Sequence, residues 1–160
     1  MLGSQKNRFN NAEDTTLRLR IFIIETSDEI RESLAIHVES LGHEVIMATS
    51  ADNCPHYRSD REHCSQKNAC GDALIIGQYF PFLKGIEFIE RRIRGGCKGA
   101  VANNAIICRP WSDNERRRAK NLGCRFFETP VQLSEVSDWL KEVEKNTSVN
   151  RKLAPLPDAS

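Results

Sequence analysis

Short apolar runs, each followed by a longer amphipathic stretch, recur through the middle of this chain, and that alternation restricts its fold more than any other feature. From Leu17 the sequence reads LRLRIFII, then SDEIRESLAIHVESLG, then HEVIMA, which is strand, helix and strand by period and by bounding residues. In the helical stretch Ile30, Leu34, Val38 and Leu41 share a face, Ser27 is placed to cap the start, and Gly42 suits a left-handed stop. DALIIG supplies a third strand and NAIICR a fourth. Between them GIEFIERRIRGG places Ile86, Ile89 and Ile93 on one side of a helix. SDNERRRAKNLG opens with Ser112, carries Glu115 three residues on in the capping-box pattern, and ends at Gly123. CRFFET is a fifth strand, and SEVSDWLKEVEKN a closing helix with Val136, Trp139, Leu140 and Val143 on one stripe.

Strands alternating with helices imply parallel pairing with crossovers on both faces. The expectation is one α/β domain, doubly wound around a five-stranded parallel sheet. In such a sheet ligands gather where strands end at their carboxyl edge. Those tips are Glu25 and Thr26 after the first strand, Gly77 after the third, Cys108 after the fourth and Thr129 after the fifth. The 160 residues, 28% charged and 39% hydrophobic, suit a single core. Residues 1–17 and 147–160 lack periodicity and read as mobile ends around a domain at 18–146. A formal net charge of +1 advertises neither nucleic acid nor an anionic membrane. The basic residues near Arg91 and Arg116 read as solvated helix faces. Apolar runs such as IFII are far shorter than the ~20 residues of a membrane span, and no export signal is visible, so a soluble, cytoplasmic protein is expected.

The order and spacing of RIFIIETSDEIRESLAIHVESLGHEVIMA, DALIIGQYFPFLKGIEFIERRI, AIICRPWSDNERRRAKNLGC and FFETPVQLSEV resemble the receiver domain of bacterial response regulators, over about residues 18–145. The resemblance implies a flavodoxin-like sheet with strand order 2-1-3-4-5, a cis peptide at Thr129-Pro130, and a place in a two-component or phosphorelay pathway. It also implies a phosphorylation site that this chain does not complete. A receiver of the usual pattern has two adjacent acids after the first strand, an aspartate acceptor after the third, Ser or Thr after the fourth, and Lys before the proline after the fifth. Here the matching places hold Glu25 and Thr26, then Gly77, Cys108 and Thr129. Phosphoryl transfer needs a nucleophilic oxygen and Mg²⁺ held by oxygen ligands. Gly77 offers no nucleophile, Glu25 is the one carboxylate left, and Thr129 is neutral. The pocket is therefore read as degenerate, without Mg²⁺ and without enzymatic activity, and Gly77 as either a plain turn residue or part of a pocket adapted to another ligand. Output is expected through a protein partner, a histidine kinase or other signalling protein, or a second copy of the chain. By the same resemblance Trp111 and Phe127 are assigned to a partner-binding face.

Between the second and third strands, where the family places a compact helix, residues 51–71 form a longer polar segment interrupted by Pro55. Cys54, His56, His63, Cys64 and Cys70 are soft ligands, and Zn or Fe bound by them would staple a segment with little to bury. Their spacing matches no paired C-x-x-C knuckle; a disulfide and separate thiols stay open beside a metal. If metal or redox chemistry does reside there, the alternative function is a sensor built on residues 54–70. Cys97, Cys108 and Cys124 instead read as small buried hydrophobes.

Overall fold

The computed structural model describes residues 17–50, 67–81, 83–98, 103–110 and 112–156. Its strands are β1 (Arg20–Ile24), β2 (Glu44–Ala48), β3 (Ala73–Gly77), β4 (Asn104–Cys108) and β5 (Arg125–Glu128). The helices among these residues are α1 (Asp28–Ser40), α2 (Gly85–Arg94), α3 (Asp113–Asn121) and α4 (Leu133–Lys145). All strand pairs are parallel, in the order β2-β1-β3-β4-β5. The doubly wound arrangement read from the alternation is thus the observed one.

Local chemistry sets the helix ends. The Ser27 hydroxyl accepts the backbone N–H of Ile30 at 3.3 Å, and Asp28 and Glu29 fill the first turn of α1, where acids favour the helix dipole. Gly42 ends α1 at φ 93 and Gly123 ends α3 at φ 75, a region that side chains with a Cβ rarely enter. Ser112 accepts the N–H of Glu115 at 3.2 Å, but the Glu115 carboxylate turns away from the cap and takes Lys84 Nζ at 3.2 Å. Half of the capping box therefore became a tie between α3 and the loop before α2.

Period-two alternation along buried strands sends side chains to two separate cores. On one face Ile21, Ile23, Ile75 and Ile107 meet α1 and α4 through Leu34, Val38, Val136 and Leu140. His37 of α1 and Ser137 of α4 are joined at 2.7 Å along that seam. On the other face Ile24, Ile76 and Ile106 meet Ile86 and Ile89 of α2 and Ala119 of α3. Cys108 and Cys124 lie in this second core, where burial pushes the Cys124 thiol up to about 11 and raises that of Cys108 as well. They are buried hydrophobes, as their positions indicated. Trp139 is core too, its ring meeting Phe127 edge to face at 5.7 Å. That contact corrects the assignment of Phe127 to a partner face. Phe127 pairs in register with Ile107, points to the α1 and α4 side, and is fully buried. Trp111 lies outside the described residues.

The expectation of a mobile end from residue 147 also needs correction over 147–156, which pack across the amino edge of the sheet. Arg151 grips Asp72 with two nitrogens, Nε to Oδ1 and Nη2 to Oδ2, each at 2.6 Å. The Asp72 side chain is 4% exposed, and its Oδ2 also accepts the Arg20 N–H at 2.8 Å. Arg20 in turn donates to the carbonyls of Cys70 and Ala154, and Ala154 N–H donates to Ala69 O at 2.8 Å. Periodicity could not announce this strap because polar and backbone contacts hold it. Removing Arg151 would leave a buried carboxylate unpaired, a loss of about 3 kcal/mol or more. Urea unfolding of Arg151→Ala should show a lowered midpoint with an unchanged slope, and adding Asp72→Asn should recover part of the loss.

At the same edge His43 is buried with both ring nitrogens engaged. Nδ1 accepts the Leu19 N–H at 3.1 Å, which places the proton on Nε2, 3.0 Å from Glu144 Oε1. Burial lowers its pKa below the ordinary 6.5, against the opposing pull of Glu144 and Asp72. An unfolded chain therefore takes up this proton at a higher pH than the folded one does, and stability should fall as pH drops below about 6.5. In His43→Asn the amide oxygen keeps an acceptor for Leu19, and the part of the slope in denaturation midpoints just below pH 6.5 that His43 contributes should disappear.

Candidate functional site

At the carboxyl edge the strands end around a cleft of about 250 Å³. Glu25 leaves β1 with its N–H tied to Ala48 O at 3.1 Å, and Arg31 of α1 holds its carbonyl at 2.7 Å. Arg31 also pairs with Asp28, so the turn between β1 and α1 is braced from the helix side. The Glu25 side chain is drawn inward and the residue is 8% exposed. Its Oε2 accepts the Thr26 hydroxyl at 3.1 Å and the Ser27 N–H at 2.8 Å. Oε1 has no hydrogen-bond partner among the described residues and lies over Gly77, 2.6 Å from where a Cβ on that residue would stand.

That geometry answers what a side-chain-free residue does at the tip of β3. Gly77 leaves open the space that the Glu25 carboxylate occupies, and any side chain there would have to displace it. A second close approach sits just behind. Gly85 opens α2 so near β3 that a Cβ on it would come within 2.1 Å of Gly77 O. The loop between them folds back on itself, with Tyr79 bridging Lys84 and Gly85 N–H donating to Gln78 O at 2.8 Å.

Gln78 is buried and ties two rims of the cleft together. Its Oε1 accepts the Arg109 N–H at 2.8 Å, and its Nε2 donates to Tyr79 Oη at 3.2 Å. Arg109 follows β4 directly, lines the cleft and is exposed. Thr129 lines the opposite side, ahead of a cis peptide to Pro130, with its N–H on Cys108 O at 3.0 Å.

Of the residues assigned to the degenerate pocket, the structure brings Glu25, Thr26 and Thr129 onto the cleft with Gly77 beneath the carboxylate. Cys108 is the exception. Its side chain belongs to the α2 and α3 core, while Ile107 and Arg109 on either side of it face the cleft. Gln78, Tyr79 and Arg109 escaped the sequence reading although each stands one or two positions past a strand tip, which is the signal that would have found them. The donor set does not suit Mg²⁺. One carboxylate beside an arginine supplies neither the oxygen ligands nor the negative charge that this ion needs. Among the described residues no group of three or more His, Cys, Asp or Glu side chains is arranged to hold a metal. Cys54, His56, His63 and Cys64 lie outside those residues, and Cys70 is half-buried, its carbonyl accepting from Arg20 Nη1. No described helix is long and apolar enough to cross a membrane.

The two glycines should respond differently to substitution. In Gly77→Ala the new methyl group meets only the end of a flexible carboxylate, and the loss should be about 1 kcal/mol. In Gly85→Ala it meets backbone, and the loss should be about 3 kcal/mol. Denaturation midpoints of both variants check the order.

No protein-family model matches the sequence, and no curated protein matches it. The fold, however, is shared with several solved structures. The receiver domain of a Francisella response regulator superposes with a TM-score of 0.64 at 14% identity, covering 82% of this chain and 100% of that one. A response regulator receiver protein from Pseudomonas putida gives 0.63 at 16%, covering 78% and 97%. The chemotaxis protein CheY4 from Vibrio cholerae gives 0.62 at 16%, covering 79% and 98%. This chain has the fold of the response regulator receiver domain.

Proposed function

We propose that the protein is a receiver-like signalling module that acts by binding another protein and carries no phosphoryl group. The observation that supports this most directly is the Glu25 carboxylate standing over Gly77, in the space that a side chain at the tip of β3 would use. A phosphoryl group transferred there would need a carboxylate on β3, a metal to neutralise its charge and a cation on the β5 side. The tip of β3 has no side chain, the cleft lacks the ligands for Mg²⁺, and Thr129 is neutral. Glu25 is a poor substitute acceptor, because two hydrogen bonds fix its Oε2 and no second acid among the described residues lines the cleft to hold a metal. With the reaction removed, output passes through surface contacts to a signalling protein such as a histidine kinase, or to a second copy of the chain.

The experiment is incubation with acetyl phosphate or beryllofluoride in the presence of Mg²⁺. Intact mass and the amide NMR spectrum should both stay unchanged. A hydroxylamine-labile adduct on any residue of the cleft would overturn the proposal.

A further inference from the structure

The cleft is not chemically empty. At its base lies a carboxylate more than nine-tenths buried, with one oxygen bonded and the other, Oε1, without a partner among the described residues. That oxygen is open to the cleft, and a carboxylate oxygen can only accept. It calls for a donor, best a cationic one. At the rim Arg109 presents a planar set of donors whose backbone is fixed by Gln78, and no described carboxylate pairs with it within 4.0 Å. The acidic and basic groups therefore face one cleft without neutralising each other. Ile30 and Ile107 supply apolar wall, while the Thr129 and Tyr79 hydroxyls add hydrogen-bonding capacity. A volume of about 250 Å³ falls below the ~300–1,000 Å³ of drug-sized sites. At ~30 Å³ per water it holds roughly eight waters, room for a small metabolite.

We infer that this cleft binds a small zwitterion, an amino acid or a short ω-amino acid, with its ammonium group on Glu25 Oε1 and its carboxylate on Arg109. A simple anion would meet the Glu25 charge at the base, and a simple cation would meet Arg109 at the mouth. A molecule carrying both charges satisfies both ends and releases the waters over Ile30 and Ile107. The inference rests on the reading that the cleft carries no phosphoryl group, and it assigns that cleft an occupant. Gly77 acquires a role in it, because a side chain there would push the Glu25 carboxylate off the base.

The test is titration of the ¹⁵N-labelled full chain with glycine, β-alanine, γ-aminobutyrate, 5-aminovalerate and L-α-amino acids, with n-butylamine and butyrate as singly charged controls. At least one zwitterion should shift the amide signals of Ser27, Gln78 and Arg109 saturably, with a Kd of about 1 mM or tighter, equivalent to about −4 kcal/mol. It should bind at least tenfold tighter than either control. Glu25→Gln and Arg109→Ala should each weaken it tenfold or more, and Arg109 is exposed, so its variant keeps the wild-type spectrum elsewhere. Equal or absent binding across zwitterions and controls would overturn the inference, as would affinity unchanged in both variants. Labelling by acetyl phosphate without zwitterion binding would sink both readings, whereas zwitterion binding in a protein that also takes phosphate would sink only the phosphoryl-free function.

Discussion

A parallel sheet buried on both faces leaves its central strands no place for polar side chains except their two ends. Ile23, Ile75, Ile76 and Ile106 are fully buried, so β1, β3 and β4 must give up their chemistry to the residues just before and just after them. At the amino edge this produces a ring of tied charges, in which Asp72, Arg20, Arg151 and Glu44 all find partners. The carboxyl edge behaves differently. Glu25 and Arg109 line one cleft without pairing, and Gln78 spends its hydrogen bonds on holding the loops in place. One end of the molecule is electrostatically satisfied; at the other an acid and a base share a cleft without pairing with each other.

The helix faces, caps and strand order were legible because each rests on a local rule. Ile30, Leu34 and Val38 declare a face by spacing, Ser27 and Gly42 declare ends by their side chains, and a parallel connection has one favoured hand. CRFFET offers two adjacent aromatics on opposite faces of the sheet. Which one enters the α1 and α4 core and which packs against the α2 and α3 core depends on the register with β4, which the resemblance that put Phe127 on a partner face did not supply. A one-residue shift exchanges them. The docked tail was missed for a different reason. Its anchors, Arg151 to Asp72 and Ala154 to Ala69, join residues far apart in sequence through ion pairs and backbone bonds that leave no hydrophobic period.

Within the cleft the sequence shows which residues stand at the strand tips and not how they are arranged. The absence of an acid at position 77 is visible in the letters, but the position of the Glu25 carboxylate above it depends on the Ser27 N–H, the Thr26 hydroxyl and the Arg31 brace acting together. Arg109 is one of many arginines in the chain and gains meaning only from its place between Cys108, which turns into the core, and Gln78, which fixes its backbone. Sheet topology creates the cavity at the strand ends, and the side chains there furnish it.

The strap formed by residues 147–156 also decides the polarity of the molecule as a building block. It lays the chain beside Ala69 and Cys70, at the start of β3, while the cleft opens at that strand's far end. The five residues of β3 separate the two by about 16 Å. A dye, tag or immobilising linker joined after the strap would thus stand clear of the cleft mouth, and tension applied through it would load the Arg151 grip before reaching any residue that lines the cavity.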